Sequence, residues 1–376
     1  MRYYIIAGEA SGDLHGSNLI KEMRKLDEQA VIRGWGGDMM QEAGAEIVKH
    51  YRDLAFMGFA EVIKNLPTIF SNIKFCKDDI LAFQPDAIIF IDYPGFNLRI
   101  AKWAKQQKFK TIYYISPQVW AWKENRVKLI KKCIDKMLVI LPFEKEFYKK
   151  WDYEVEYVGH PLVEVIERFK VEGKGLRENS DQSLASNPKP QIALLPGSRK
   201  QEILKKLPVM LEASKSFTDY QFLVAKAPGQ EESFYHDLLK DYPNVSSVTN
   251  QTYQLLLSAK AACVTSGTAT LETALFAVPE VVCYKGSSIS YQIAKRLIKV
   301  KFISLVNLIM DKLVVKELIQ DEFNVENLKD ELGKILNDNQ VQEQMKKDYY
   351  NLKNLLSLGG NASANAAKSI VRFLKN

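Results

Sequence analysis

Short runs of consecutive apolar residues alternate along this chain with longer stretches in which apolar side chains recur every three or four positions. Continuous apolar runs are the mark of strands buried on both faces, and the wider spacing that of amphipathic helices, so the alternation predicts parallel sheets with helical crossovers. In the first half the strand-like runs are Tyr3 to Ala7, Val31 to Trp35, Ala87 to Ile91, Lys110 to Ile115 and Met137 to Leu141. The second half repeats the theme at Ile192 to Leu195, Phe222 to Ala225, Val245 to Val248, Ala261 to Val264 and Val281 to Tyr284. Between the halves, residues 171–189 carry Gly, Ser, Asn and Pro without apolar period, which predicts a linker. The expected organisation is therefore an α/β domain over 1–170, a linker over 171–189 and a second α/β domain over 190–345. C-terminal helices over 346–376 are expected to pack back on the first domain, helped by the small residues Ala362, Ala364, Ala366 and Ala367.

The chemistry gathers where strands hand over to helices. Gln191 to Leu195 runs into Pro196-Gly197-Ser198-Arg199 and then a helical pattern from Glu202. A glycine turn at a helix start lets unpaired N–H groups approach an anion, and Arg199 adds a fork of donors. The plain alternative is an ordinary turn with a surface arginine. Gly8-Glu9-Ala10-Ser11-Gly12-Asp13 with His15 is a second such turn, bearing ionisable side chains, and Thr265-Ser266-Gly267-Thr268 with Glu272 is a third. None has the G-x-G-x-x-G spacing of a dinucleotide site. Asp92 closes the run Ala87 to Ile91, and ligands of open α/β sheets sit at the carboxyl ends of strands, so Asp92 reads as a general base or as a cap for the helix that follows.

Composition narrows the field. The 376 residues are 47% hydrophobic and 26% charged, ordinary for a globular protein and long enough for two cores. The four cysteines are scattered without a C-x-x-C pair, and no secretory leader precedes the first strand, a pattern expected of the cytoplasm. The four histidines are far apart, so no metal and no other cofactor is expected. A formal charge of +7 suits a phosphorylated substrate, an anionic membrane or nucleic acid and does not choose among them. Leu54 to Pro67 crowds large apolar residues, and Trp120-Ala121-Trp122 precedes Lys123, Arg126, Lys128, Lys131 and Lys132. Both stretches read either as core with a solvated face or as a membrane-contacting surface, with Met57, Phe59 and Ile63 partly exposed in the second case.

An ordered series of motifs adds a family. Gly8-Glu-Ala-Ser-Gly-Asp13, Ile91-Asp-Tyr-Pro-Gly-Phe-Asn97, Ser116-Pro-Gln-Val-Trp-Ala-Trp122, Leu141-Pro-Phe-Glu144, Leu195-Pro-Gly-Ser-Arg199, Ser266-Gly-Thr-Ala269 with Glu272, and Ser304-Leu-Val-Asn-Leu308 resemble the successive signatures of lipid-A-disaccharide synthase. The resemblance implies a GT-B fold, two Rossmann-like domains facing across a cleft. It implies an inverting transfer of 2,3-diacylglucosamine from UDP to the 6-hydroxyl of 2,3-diacylglucosamine 1-phosphate (lipid X), by a peripheral protein on the cytoplasmic face of the inner membrane. Nucleic acid is not an implied partner, and a homodimer is left open. Carried onto this chain, it makes Asp92 the base, with Glu9 and His15 beside it, and Ser11, Asp13, Asn97, Ser116 and Trp120 acceptor-binding. It assigns UDP to Gly197, Ser198, Arg199, Ser266, Gly267, Thr268, Glu272, Asn307 and Glu317. Gly95, where members often carry an acid, and Val306, where proline is usual, depart from the pattern. The competing readings are another UDP-N-acetylglucosamine-type transferase or 2-epimerase of this architecture, and a non-catalytic nucleotide-binding membrane adaptor.

Overall fold

The computed structural model describes residues 1–54, 66–178, 189–227, 230–286 and 300–375. Residues 1–161 with 356–376 form one compact unit, and 162–355 form another.

The first unit is built on strands β1 (Arg2–Ala7), β2 (Val31–Gly36), β3 (Glu46–His50), β4 (Ala87–Ile91), β5 (Lys110–Tyr114), β6 (Lys136–Val139) and β7 (Glu156–Tyr157). They pair in parallel, in the order β3-β2-β1-β4-β5-β6-β7. Successive side chains of a strand point to opposite faces, so each apolar run feeds two cores. Tyr4, Ile6, Ile88 and Phe90 pack with the helices Leu66–Phe83, Pro94–Gln106 and Val127–Cys133. Tyr3, Ile5, Ala7, Ile89 and Ile91 pack on the other face with Leu19, Ile20 and Met23 of the helix Ala10–Leu26. Full burial of each such side chain stabilises the fold by roughly 1.5–3 kcal/mol.

The C-terminal helix Ala362–Lys375 completes this second face. Ala366, Ala367 and Ile370 are fully buried in it, and their small size lets the helix lie close against Ala10–Leu26. Asn365 Nδ2 donates to the Val158 carbonyl at 3.1 Å, and the Ser369 hydroxyl to Glu156 at 2.7 Å. Enlarging Ala366 would overpack this contact at a cost of about 1–3 kcal/mol.

The second unit holds β8 (Gln191–Leu195), β9 (Gln221–Lys226), β10 (Val245–Thr249), β11 (Ala259–Thr265), β12 (Glu280–Tyr284) and β13 (Lys316–Ile319). These strands are also parallel, in the order β10-β9-β8-β11-β12-β13. In both sheets the strand order reverses direction beside the first strand, between β1 and β4 and between β8 and β11. Such a switch point parts the flanking loops and leaves a crevice at the carboxyl edge, where ligands of this architecture bind.

The expected domain boundary moves. Residues 171–178 are not linker: the helix Pro161–Glu178 runs through them, and the second unit begins at Leu162. The reason is packing. Leu162, Val165, Ile166 and Phe169 recur at helical spacing, and Phe169 lies against Tyr253 at 5.3 Å and Phe276 at 6.2 Å between ring centroids. The return falls at residue 356 rather than 346, late in the helix Asn339–Ser357, because Met345, Tyr349 and Leu352 are buried in the second unit. The remainder of the expected linker, 179–188, and the residues Met57, Phe59 and Ile63 lie outside the described residues.

Candidate functional site

At the switch point of the first sheet, β4 ends in two consecutive residues with left-handed backbone, Asp92 (φ 43°) and Tyr93 (φ 49°). Neither is glycine, so the turn costs energy and has to be held by its surroundings. Asn97, fully buried, holds it: Nδ2 donates to the carbonyls of Asp92 at 2.7 Å and Ile91 at 3.3 Å. The buried Tyr113 hydroxyl donates to the Asp92 carbonyl as well. From β1, Gly8 leaves room for Tyr93; a Cβ there would stand 2.3 Å from the ring. The next helix starts at Pro94 with Tyr93 as its N-cap, so Asp92 is not the cap. Its carboxyl group is pushed up to about 6, first by burial and then by the carboxylate of Glu9, against the Tyr93 N–H. A half-buried carboxyl group that titrates just below neutrality is suited to accept a proton at physiological pH.

Glu9 and Ser11 are exposed at the end of β1. His15 is a turn further along, its Nδ1 shielded from solvent without a hydrogen-bond partner, and burial lowers its pKa to about 4. His160 lies near it, lowered to about 3 by burial and then by His15. Both imidazoles are neutral at pH 7, so His15 can orient a ligand but is not poised to deliver a proton.

Four residues expected to bind the acceptor do other work. Asp13 is buried and accepts the backbone N–H groups of Gly37, Met39 and Met40 at 2.7, 3.2 and 3.1 Å, saturating its carboxylate at the start of the helix Asp38–Glu42. Asn97 spends its amide nitrogen on the backbone at Asp92, as described. The Ser116 hydroxyl pairs with the Tyr148 hydroxyl at 2.6 Å, and Trp120 packs edge-on against Phe143 at 5.0 Å; both residues are buried. Beneath them Glu144 accepts the N–H groups of Leu141 at 2.9 Å and Ile140 at 3.2 Å, while burial pushes its carboxyl group up to about 7. Residue type alone could not separate ligand-facing from scaffold-facing polar groups, because every polar group in a tight turn needs a partner.

The second sheet's switch point is basic. After β8, Gly197 takes φ 113°, and a Cβ there would come within 2.8 Å of Glu202 Oε2. Ser198 and Arg199 are exposed, and Arg199 precedes the helix Lys200–Ser214, with Nη1 3.5 Å from the Glu202 carboxylate. After β11, Ser266 donates to the Ile303 carbonyl at 2.9 Å, while Gly267 and Thr268 are exposed at the start of the helix Thr268–Leu275. Glu272, one turn in, has its carboxyl group pushed up by burial and takes the Tyr253 hydroxyl at 3.4 Å.

Asn307 and Glu317 do not face the turn. Asn307 Oδ1 accepts from the N–H groups of Val314 and Val315, and its Nδ2 donates to Val315 and Glu317. Glu317 in turn accepts the N–H groups of Ile303 and Ser304. Together they lock the 303–317 loop against which Ser266 rests, so their effect on the turn is indirect. A residue missed in the sequence stands closer. Lys206 is 3% exposed, its Nζ donates to the Thr265 hydroxyl, and it lies 3.8 Å from Glu202. Burial lowers its pKa. Its signal was legible: it occupies the core face of a helix whose other members are Ile203, Leu207 and Met210.

Among the described residues no group of His, Cys, Asp and Glu is arranged to hold a metal ion, and no helix is long and apolar enough to cross a membrane.

The family model described as lipid-A-disaccharide synthetase matches residues 3–371. The lipid-A-disaccharide synthase of Syntrophus aciditrophicus (strain SB) is 38% identical over 383 residues, covering 99% of this chain and 98% of that one. That of Coxiella burnetii (strain CbuG_Q212) is 36% identical over 370 residues, covering 97% and 96%. Among solved structures, the UDP-GlcNAc 2-epimerase from Neisseria meningitidis bound to UDP-GlcNAc aligns over 100% of both chains with a TM-score of 0.67 at 15% identity. The glycotransferase of kitacinnamycin aligns over 99% of this chain and 98% of that one, with a TM-score of 0.65 at 14% identity. These structural likenesses establish the GT-B fold. The match across nearly the whole length, with relatives above one third identical, establishes more: the chain belongs to the lipid-A-disaccharide synthase family, UDP-sugar glycosyltransferases of lipid A biosynthesis.

Proposed function

We propose that this enzyme transfers 2,3-diacylglucosamine from UDP to the 6-hydroxyl of 2,3-diacylglucosamine 1-phosphate, with inversion at the anomeric carbon. Asp92 takes the proton from O6, the O6–C1 bond forms, and the bond from C1 to the diphosphate oxygen breaks, its electron pair leaving with UDP. The observation that carries Asp92 in this role is its carboxyl group, raised to about 6 and held on left-handed backbone at the switch point. Glu9 raises its basicity and, with Ser11 and neutral His15, orients the acceptor sugar.

Arg199 and the N–H groups of Gly197, Ser198, Gly267 and Thr268 form the diphosphate side, with Ser266 anchored behind them by its hydrogen bond to the Ile303 carbonyl. Anion-ready groups stabilise charge growing on a leaving diphosphate without reorganising during the reaction. Glu272 accepts the ribose hydroxyls. Asn307 and Glu317 act by fixing the loop behind Ser266.

The deciding experiment is mass and linkage analysis of the product after incubation with UDP-diacylglucosamine and lipid X. A β-1,6 disaccharide 1-phosphate and one equivalent of UDP are expected. UDP release without lipid X, or conversion of the UDP-sugar to its 2-epimer, would overturn the assignment in favour of a hydrolase or epimerase. We further propose that the protein works as a peripheral protein on the cytoplasmic face of the inner membrane. Co-sedimentation with anionic but not neutral vesicles checks this.

A further inference from the structure

The helix Pro94–Gln106, which begins two residues after Asp92, forms one side of a cavity of about 260 Å³; the segment around Arg126 and Leu129 forms the other. Its lining is mixed in a particular way. Pro94, Leu98 and Leu129 give it apolar walls, while Arg99, Lys102 and Arg126 supply its charge, and no carboxylate lines it. Arg99 and Lys102 make no ion pair with any described residue, whereas Lys105, one turn further, is bound to Asp135. Two cations on one helix, Arg99 and Lys102, standing beside apolar walls without an ion pair to any described residue, suit a ligand that is itself both apolar and anionic.

We propose that this cavity binds the phosphomonoester end of an acyl-bearing sugar, the acceptor of the reaction. The inference rests on the proposed use of lipid X and adds to it a site for the phosphate. The position fits the chemistry: an acceptor must bring one hydroxyl to Asp92 while its charged end is held elsewhere on the same domain. The cavity starts at Pro94, at the sheet edge that carries Asp92, and follows the helix away from it.

The test uses the full-length protein and a soluble probe. Dodecyl phosphate, below its critical micelle concentration, is titrated calorimetrically beside inorganic phosphate and dodecyl maltoside. Dodecyl phosphate is expected to bind at least tenfold more tightly than either. The double variant Arg99→Gln/Lys102→Gln is expected to lose about tenfold of that affinity, the loss typical of one or two charge-assisted hydrogen bonds. In turnover assays the same variant raises KM for lipid X about tenfold and leaves kcat and the KM for the UDP-sugar near wild type. Lys105→Gln, already ion-paired, is the control and changes neither.

Equal binding of inorganic and dodecyl phosphate would overturn the proposal in favour of a bare anion site. Loss of anionic-vesicle binding with an unchanged KM for lipid X would overturn it in favour of a membrane-facing patch. If the wild-type enzyme does not consume lipid X, the acceptor assignment falls; the dodecyl phosphate titration then still decides whether the cavity takes an anionic amphiphile.

Discussion

At the first sheet's switch point, between β1 and β4, Asp92 lies on a strained turn within the field of the Glu9 carboxylate; at the second's, between β8 and β11, Arg199 and Lys206 flank one glutamate. The scaffolds are alike: parallel strands, the same reversal of strand order, loops opening at the carboxyl edge. What differs is how each edge pays for its charge. Asp92 is left short of hydrogen-bond donors, so burial and Glu9 raise its pKa. Glu202 sits between Arg199 and Lys206, so one carboxylate faces two cations. The comparison teaches that one architecture presents a raised carboxyl group or a cluster of cations according to the few residues placed in its loops, the basis for the proposed base and anion-binding roles.

The sharpest way to break the comparison is Asp92→Asn. Turnover should fall about a thousandfold while UDP affinity stays within twofold, since general-base catalysis contributes roughly 10²–10⁴. As the proposed base, Asp92 would act deprotonated, so in the wild type kcat/KM should rise with pH through about 6. A fully active Asn variant would remove Asp92 as the base.

Arg199→Ala comes next. Its kcat/KM should drop about a hundredfold, as for removal of one preorganised charge stabiliser, with UDP binding weakened; unchanged UDP binding would mean that the arginine is merely exposed.

Lys206→Met probes the buried cation. A buried charge exchanged for an apolar side chain of similar size often leaves stability unchanged or improved. The urea midpoint should therefore hold or rise while UDP affinity falls about tenfold. A parallel fall in both would mark Lys206 as simply structural.

The last test reads stability and leaves turnover aside. The folded Asp92 carboxyl group titrates above its unfolded value, so the protonated form is favoured by folding and stability is lost as pH rises from about 4 to about 6. Asp92→Asn lacks this titration. Its stability relative to wild type should therefore match below pH 4 and gain up to about 3 kcal/mol above pH 6, measured from urea midpoints.

Much of the fold was readable because buried parallel strands need continuous apolar runs, and Ala87 to Ile91 or Ala261 to Val264 have little else. Two short edge strands with charged residues escaped, whereas the uncharged edge strand Val245–Thr249 did not. Glu46–His50 and Lys316–Ile319 each pair on one side only and carry charged residues, so their periodicity is weak. The boundary at residue 171 misled for a related reason. A polar, glycine-bearing stretch does not end a helix whose preceding turns are anchored by Phe169.

The site was legible as a set of turns and less so as a set of roles. Gly197 and Arg199 could be read as an anion turn because glycine conformation and guanidinium charge are properties of single residues. Asp13, Asn97, Ser116, Asn307 and Glu317 look equally functional in one dimension, and the tertiary structure shows each satisfying neighbouring groups.

The sequence by itself determined the two parallel sheets, the anion-ready turns and the family, because periodicity, glycine placement and motif order are written along the chain. Only the tertiary structure decided which carboxylates are saturated and which remain basic, and that Lys206 lies buried beside Thr265. Those properties depend on burial and on distances between groups far apart in sequence, and no local pattern encodes them.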